Sequence, residues 1–195
     1  MRRPLKIGIT GGIGSGKTTI CEIFSRLNVP VYNADERARW LMHHNKKIIN
    51  GVNLIFSPMA YINGELNRAH LSAMVFSDHS LLRKLNELVH PVVQADFLNW
   101  VKQQDSDYVI KEAALLFESK SFLDLDAVIC VTAAQSIRIE RTMRRDGLSE
   151  EAVFKRIKNQ LNQSVKEQLA DYIIENNPED LIIPQVLRLH KFFCD

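Results

Sequence analysis

The segment Gly11-Gly12-Ile13-Gly14-Ser15-Gly16-Lys17-Thr18 decides the fold of this chain. It matches the complete pattern G-x-x-x-x-G-K-[ST], whose glycines let successive backbone N–H groups point at phosphate oxygens. The apolar run at residues 5–9 predicts a buried strand before the loop, and residues 17–27 predict an amphipathic helix after it. Strand, loop and helix together predict a phosphate site at the positive end of a helix dipole.

The residue types in this loop predict which nucleotide groups each one contacts. Lys17 would reach the β and γ phosphates of a nucleotide, which also makes it a catalytic candidate, and the loop by itself leaves kinase, GTPase and motor ATPase open. The hydroxyl of Thr18 would coordinate Mg²⁺ bridging the same oxygens. The predicted nucleotide-binding residues are therefore Gly12, Ile13, Gly14, Ser15, Gly16, Lys17 and Thr18.

Away from the loop, short apolar runs alternate with longer amphipathic segments, which is typical of an α/β fold. Further strands are predicted at residues 29–32, 107–113, 127–132 and 172–174. Long helices connect them, so the strands are expected to lie parallel in one five-stranded sheet with helices on both faces. A helix after Pro178 is expected to complete the fold.

Residues 36–100 have a different character and predict a helical insertion without strands. Helix breaks are expected there at the turn-forming or proline-containing pairs Asn50-Gly51, Ser57-Pro58, Asn63-Gly64 and His90-Pro91.

The composition limits the possible function classes. The 195 residues are 46% hydrophobic and 25% charged, which excludes a disordered chain. A net charge of +2 gives no reason to expect a nucleic-acid partner, and no apolar run is long enough to span a membrane. Three scattered cysteines are typical of reduced thiols, so a cytoplasmic protein is predicted, with a monomer favoured.

An acidic residue follows the second predicted strand. Asp35 comes just after Val31-Tyr32, where the carboxyl end of a parallel strand opens on the same crevice as the phosphate loop. A carboxylate at this place can accept a hydroxyl proton or hold magnesium. The alternative is that Asp35 only caps the helix beginning at Glu36, and the two roles are compatible.

A basic run follows the fourth predicted strand. Arg138, Arg141 and Arg145 share one helical face because of their spacing, whereas Arg144 points elsewhere. Arginines on a helical lid can neutralise charge on a transferred phosphoryl group, so Arg141 and Arg145 are catalytic candidates. The alternative is a solvent-exposed helix whose arginines pair with neighbouring acidic residues.

A series of motifs in one order then resembles the dephospho-coenzyme A kinase family over nearly the whole length. The phosphate loop is common by itself, but the full series in register is specific. The motifs are I-G-I-T-G-G-I-G-S-G-K-T-T from Ile7, Ala34-Asp35, L-N-R-x-x-L from Leu66, His90-Pro91, L-L-F-E from Leu115, R-T-M-R-R-D from Arg141, R-I-x-N-Q from Arg156 and A-D-x-x-I-x-N from Ala170.

The resemblance implies transfer of the ATP γ-phosphoryl group to the ribose 3′-hydroxyl of dephospho-CoA, the last step of coenzyme A synthesis. It implies a P-loop kinase fold with a nucleotide-binding core at residues 1–35, 105–135 and 165–195, a helical substrate domain at 36–104 and a helical lid at 136–164. It adds Thr19 and Asn176 to the ATP site, Asn176 beside the adenine. By their motifs, Asp35, Arg68, His90 and Glu118 are expected to bind the substrate.

Two departures and two rivals accompany this resemblance, and the first departure is Ala114, which stands where the family has a proline before the L-L-F-E motif. The family usually has aspartate where this chain has Asn33, so a metal site with two carboxylates is in doubt and Asp35 must act alone or with Glu118. A nucleoside monophosphate kinase, or another small-molecule P-loop kinase, would share the loop, aspartate and lid arginines. A GTPase-like switch is the other rival, but no N-K-x-D motif is found in the sequence.

Overall fold

The computed structural model describes residues 3–195, except for the side chains of Phe76 and His79. Five parallel strands form one sheet in the order β2-β5-β1-β6-β7, and β3 pairs with β4 in a separate antiparallel hairpin. The predicted α/β fold with a five-stranded parallel sheet is confirmed. The strands are β1 (Leu5–Thr10), β2 (Val31–Asn33), β3 (Tyr61–Ile62), β4 (Glu65–Leu66), β5 (Tyr108–Glu112), β6 (Ala127–Thr132) and β7 (Tyr172–Glu175).

Helices connect the strands. Within the described part of the chain, no helix is both long and apolar enough to cross a bilayer. Short 3₁₀ helices cover Pro58–Ala60 and Ser121–Asp124. The α-helices are α1 (Lys17–Arg26), α2 (Ala34–His44), α3 (Lys46–Phe56), α4 (Arg68–Ser77), α5 (His79–Val101), α6 (Gln135–Asp146), α7 (Glu150–Lys158), α8 (Gln163–Leu169) and α9 (Ile182–Cys194).

The sheet places β1 at its centre, where both neighbours pair with it in parallel. Ile7 and Ile9 of β1 are fully buried, as are Phe24 of α1 and Val186 of α9 in the same hydrophobic cluster. Apolar burial on this scale is the main stabilising contribution to such a core. In a parallel sheet the carboxyl ends of all strands lie at one edge, so β1, β2 and β5 deliver their last residues to that edge.

The chain divides into two compact units. One comprises the chain up to Asn33 together with Val101–Asp195, and the other is Ala34–Trp100. The second unit is mostly helical and has its own buried residues, which include Val52, Phe56 and Phe97. Within it, Arg37 donates two hydrogen bonds to the carboxylate of Asp96, at 2.7 and 3.0 Å.

Two expected helix breaks in this unit are wrong. Helix α3 continues through Gly51. A Cβ there would lie 2.6 Å from Leu88, so the glycine allows the close approach of that side chain, and this packing offsets the low helix propensity of glycine. Helix α5 continues through Pro91. Its buried residues Val89 and Val93, on either side of the proline, stabilise the helix by packing and offset the lost backbone hydrogen bond.

The expectation of no strand in this unit is also wrong. Asn63 and Gly64 have φ angles of 52° and 84° and connect β3 with β4. Two central residues with positive φ are typical of the tight turns that join antiparallel strands, and asparagine followed by glycine adopts them most readily. The pair therefore makes a hairpin turn instead of a simple break between helices.

Candidate active site

The phosphate loop runs from the end of β1 to the start of α1 and needs glycine at specific places. Gly14 and Gly16 have φ angles of 78° and 93°, which side chains rarely adopt. A Cβ on Gly14 would lie 2.2 Å from the carbonyl oxygen of Arg138, and one on Gly16 would lie 2.1 Å from the side chain of Asn176. These glycines are therefore required both by the backbone and by their neighbours.

Lys17 is the first residue of α1 and folds back over the loop. Its Nζ donates to the carbonyl oxygens of Gly11 at 3.0 Å and Gly12 at 3.4 Å. The N-terminal N–H groups of α1 have no partner within the helix and carry the positive end of its dipole. The loop thus combines an ammonium group with backbone donors, which suits an anionic ligand.

Two glutamines after helix α7 contact the same loop. The N–H of Gly12 donates to Gln163 Oε1 and the N–H of Ile13 donates to Gln160 Oε1, each at 2.9 Å. Gln160 belongs to the motif R-I-x-N-Q, so the sequence indicated its importance without its contact. Gln163 was missed, and no signal in the sequence distinguishes it from other glutamines.

Arg138 of α6 is buried, contrary to the alternative of a solvent-exposed arginine. Its side chain is 4% exposed, and its Nε donates to the carbonyl oxygen of Ile13 at 3.1 Å. Burial lowers the pKa of this guanidinium, yet arginine remains charged at neutral pH. Arg138 therefore fixes the loop carbonyl from the side of helix α6.

The two predicted lid arginines have different surroundings. Arg141 donates from Nη1 to the carbonyl oxygen of Asn176 at 2.9 Å, and Asn176 Nδ2 donates to the carbonyl oxygen of Ser15 at 2.8 Å. Arg145 pairs with Asp146 at 2.7 Å, which raises the pKa of the arginine. Arg141 is thus linked through Asn176 to the phosphate loop, whereas Arg145 belongs to an exposed ion pair.

A carboxylate that sequence analysis missed lies beside Thr18. Glu112 is the last residue of β5, and its Oε1 accepts a hydrogen bond from Thr18 Oγ1 at 3.3 Å. Its Oε2 accepts from Asn33 Nδ2, also at 3.3 Å. The available signal was an acidic residue at the carboxyl end of a strand that pairs with β1. Burial and the nearby Glu112 raise the pKa of the Cys21 thiol on α1.

Glu118 already has partners in the chain. Its Oε1 lies 2.8 Å from Nζ of the fully buried Lys166 and accepts from the N–H of Leu161 at 2.8 Å. Burial opposes ionisation of this carboxyl, but the hydrogen bonds from Lys166 and Leu161 outweigh it and hold its pKa below the ordinary value. Glu118 is therefore a carboxylate that holds the segment before α8, and its contact with a substrate stays a prediction.

The other predicted substrate residues belong to the helical unit. Asp35 is the second residue of α2, Arg68 begins α4, and His90 lies inside α5. All of them are exposed, as is Thr19 on α1. Their roles toward a substrate stay predictions.

The parallel sheet, with a complete phosphate loop between its central strand and α1, defines the class of this protein as a P-loop nucleotide-binding protein. Residues 5–180 match the family model described as dephospho-CoA kinase. The chain belongs to the dephospho-CoA kinase family, and the resemblance noted in the sequence is confirmed.

Individual relatives agree with this assignment. The chain is 40% identical over 186 residues to a dephospho-CoA kinase of Porphyromonas gingivalis, covering 95% of this chain and 92% of the relative. A crystal structure from Thermus thermophilus has 31% identity and a TM-score of 0.85, covering 98% of this chain and 96% of that one. A dephospho-CoA kinase from Campylobacter jejuni has 25% identity and a TM-score of 0.71, with coverages of 97% and 96%. The rival nucleoside monophosphate kinase is not favoured.

Proposed function

We propose that this chain transfers the γ-phosphoryl group of ATP to the ribose 3′-hydroxyl of dephospho-CoA, giving CoA and ADP. The observation that carries the proposal is the family match over residues 5–180. The phosphate loop supports the ATP side of the reaction, since its geometry suits a nucleotide polyphosphate. We place this last step of coenzyme A synthesis in the cytoplasm, supported by the free thiols of Cys21, Cys130 and Cys194.

Lys17 and the loop are proposed to stabilise the transferring group. The two loop carbonyls hold the ammonium of Lys17 close to the backbone donors of the loop. Phosphoryl transfer passes through a loose transition state, so positioning and charge stabilisation contribute most of the catalysis. A fixed ammonium requires little reorganisation as the charge moves, and this is why a preorganised site is effective.

Thr18 and Glu112 are the residues that would hold Mg²⁺. The donors fit this ion, because a hydroxyl and a carboxylate oxygen lie 3.3 Å apart and Mg²⁺ prefers oxygen ligands completed by phosphate oxygens and water. When bound, the ion would neutralise charge on the β and γ phosphates. Asn33 supports Glu112 by donating a hydrogen bond, whereas the family's usual aspartate would repel that carboxylate.

The remaining predicted residues complete the proposal. Asp35 would accept the proton of the 3′-hydroxyl or orient that group for in-line attack. Arg141 and Arg145 would neutralise charge on the transferred phosphoryl group, and Asn176 would border the adenine. Arg68, His90 and Glu118 are proposed to bind dephospho-CoA.

A coupled ADP-release assay tests the function. Purified protein with ATP and Mg²⁺ is given dephospho-CoA, AMP, adenosine or pantetheine as the acceptor. We expect a rate well above the ATPase background for dephospho-CoA alone. A rate at background with dephospho-CoA, beside turnover of AMP, would move the chain to the nucleoside monophosphate kinases.

A further inference from the structure

The first half of the phosphate loop depends on contacts with distant residues. Gly12 and Ile13 are separated from Gln163 and Gln160 by 151 and 147 residues, yet each loop N–H has a glutamine oxygen at 2.9 Å. Arg138 adds a hydrogen bond to the carbonyl oxygen of Ile13. The segment from α6 to α8 thus contacts both the donors and an acceptor of this half of the loop.

We propose that Gln160 and Gln163 are positioning residues for phosphoryl transfer, which hold Gly12 and Ile13 so that Lys17 is directed at the transferred group. This inference rests on the proposed function, because it concerns how that function's ammonium group is oriented.

The contacts continue from Gln163 to Lys17 through one residue. Gly12 donates its N–H to Gln163, and its carbonyl oxygen accepts from Lys17 Nζ at 3.4 Å and from the N–H of Ser15 at 3.1 Å. Glycine has more backbone freedom than any other residue, so the peptide groups around Gly12 need such contacts to stay in one orientation. Loss of the glutamine contact therefore loosens an acceptor of the ammonium group.

Gln163 must be an amide to make its contacts. Its oxygen accepts from Gly12 and from Arg138 Nη1, the latter at 3.3 Å. Its nitrogen donates to Glu167 Oε1 at 3.2 Å and to the carbonyl oxygen of Val131 at 3.4 Å. A carboxylate would still accept from Gly12 and Arg138, but its second oxygen would face the acceptor oxygens of Glu167 and Val131. This use of both ends of the amide fixes the rotamer of Gln163.

These contacts predict a separation between binding and catalysis. Because the N–H groups of Gly12 and Ile13 already have acceptors, the α and β phosphates are expected to take donors nearer the start of α1. Lys17 would reach the β phosphate as well as the γ phosphate, so ADP should lose some affinity without the glutamines, but by a smaller factor than kcat. Transfer needs Lys17 in its place, so kcat should fall.

The test uses Gln160→Met and Gln163→Met, which keep the side-chain volume and remove the acceptor. Gln168→Met is the matched control, because Gln168 is an exposed glutamine on the same helix as Gln163. Loss of one hydrogen bond predicts a roughly tenfold lower kcat in each test variant, with a clearly smaller change in the Kd for ADP. The control should match the wild type in both quantities.

Amide hydrogen exchange of the substrate-free protein provides a second readout. We expect faster exchange at Gly12 in Gln163→Met and at Ile13 in Gln160→Met, and no change at either in Gln168→Met. Unchanged exchange in the test variants would overturn the proposal, since the contacts would then be absent. Equal losses of kcat and ADP affinity would also overturn it, because a general disruption of the loop weakens both.

Failure of the proposed function can be recognised separately. If the wild type does not phosphorylate dephospho-CoA, the same comparison is made with the slow ATPase rate, which needs no acceptor. An ATPase rate that falls by a larger factor than the ADP affinity in the two test variants would then support the positioning role, and unchanged rates would refute it.

Discussion

Replacing Glu112 with glutamine removes one charge beside Thr18 and keeps the side-chain shape. The carboxylate accepts hydrogen bonds from Thr18 Oγ1 and Asn33 Nδ2, both at 3.3 Å. Glutamine can keep both bonds, because its oxygen accepts from Asn33 and its NH₂ group can donate to the hydroxyl oxygen of Thr18, but it removes the negative charge that would hold Mg²⁺. If the lost charge weakens the hold on the ion by as much as a charge-assisted interaction contributes, about 1.5–3 kcal/mol, the Mg²⁺ concentration for half-maximal activity should be roughly ten- to hundredfold higher.

The assay is a Mg²⁺ titration of ADP release with saturating ATP and dephospho-CoA. Glu22→Gln is the control, because Glu22 is an exposed glutamate on α1 that carries the same charge change. Binding of ADP in the presence of a chelator should be equal in wild type and both variants. If Glu112→Gln has the Mg²⁺ dependence and kcat of the wild type, Glu112 does not help to hold the metal.

Three other substitutions test the electrostatics of the chain. Asn33→Asp places a second carboxylate against Glu112, and the repulsion raises the pKa of one of the two carboxyl groups. The stability that comes with a raised carboxyl pKa is present at low pH and lost as the pH rises, so the Tm of the variant should fall further below the wild-type Tm from about pH 4 to about pH 8. A Tm difference that stays constant over this range would contradict this. Lys166→Met should lower the free energy of unfolding in urea by about 3 kcal/mol, and the double variant Lys166→Met/Glu118→Gln should lower it by less than Lys166→Met alone. If the losses of the two single variants simply add in the double variant, the two side chains are not coupled. Burial lowers the pKa of Lys111 to about 8, so the unfolded chain binds more protons above that pH. The Tm of Lys111→Met should therefore exceed the wild-type Tm by the largest amount below pH 8. If this Tm difference does not become smaller between pH 8 and pH 10.5, the pKa of Lys111 is not lowered.

The sheet could be predicted from sequence because each of its strands is a short apolar run and long connections require parallel pairing. The hairpin at Asn63-Gly64 could not, since β3 and β4 have two residues each and are too short for an alternating pattern. The continuation of α5 through Pro91 was also unpredictable, because it depends on packing around the proline and local propensity favours a break there.

The same distinction holds at the site. The loop from Gly11 to Thr18 is contiguous, so its conformation and the place of Lys17 follow from a local motif. Glu112 is 94 residues from Thr18, and Gln163 is 151 residues from Gly12. Contacts at such separations are set by the register of the sheet and the packing of the helices, which no local pattern records. The residues predicted to bind phosphate therefore follow from a local pattern, whereas the distant side chains that support the loop do not.

The proposed reaction requires that the phosphoryl acceptor is the 3′-hydroxyl of dephospho-CoA. The most direct measurement compares dephospho-CoA with its 3′-deoxy analogue and quantifies ADP and CoA in the same reaction by mass spectrometry. We expect one CoA for each ADP with dephospho-CoA, and no phosphorylated product and only background ADP with the analogue. A phosphorylated analogue, or equal ADP release from both compounds, would contradict the proposed reaction.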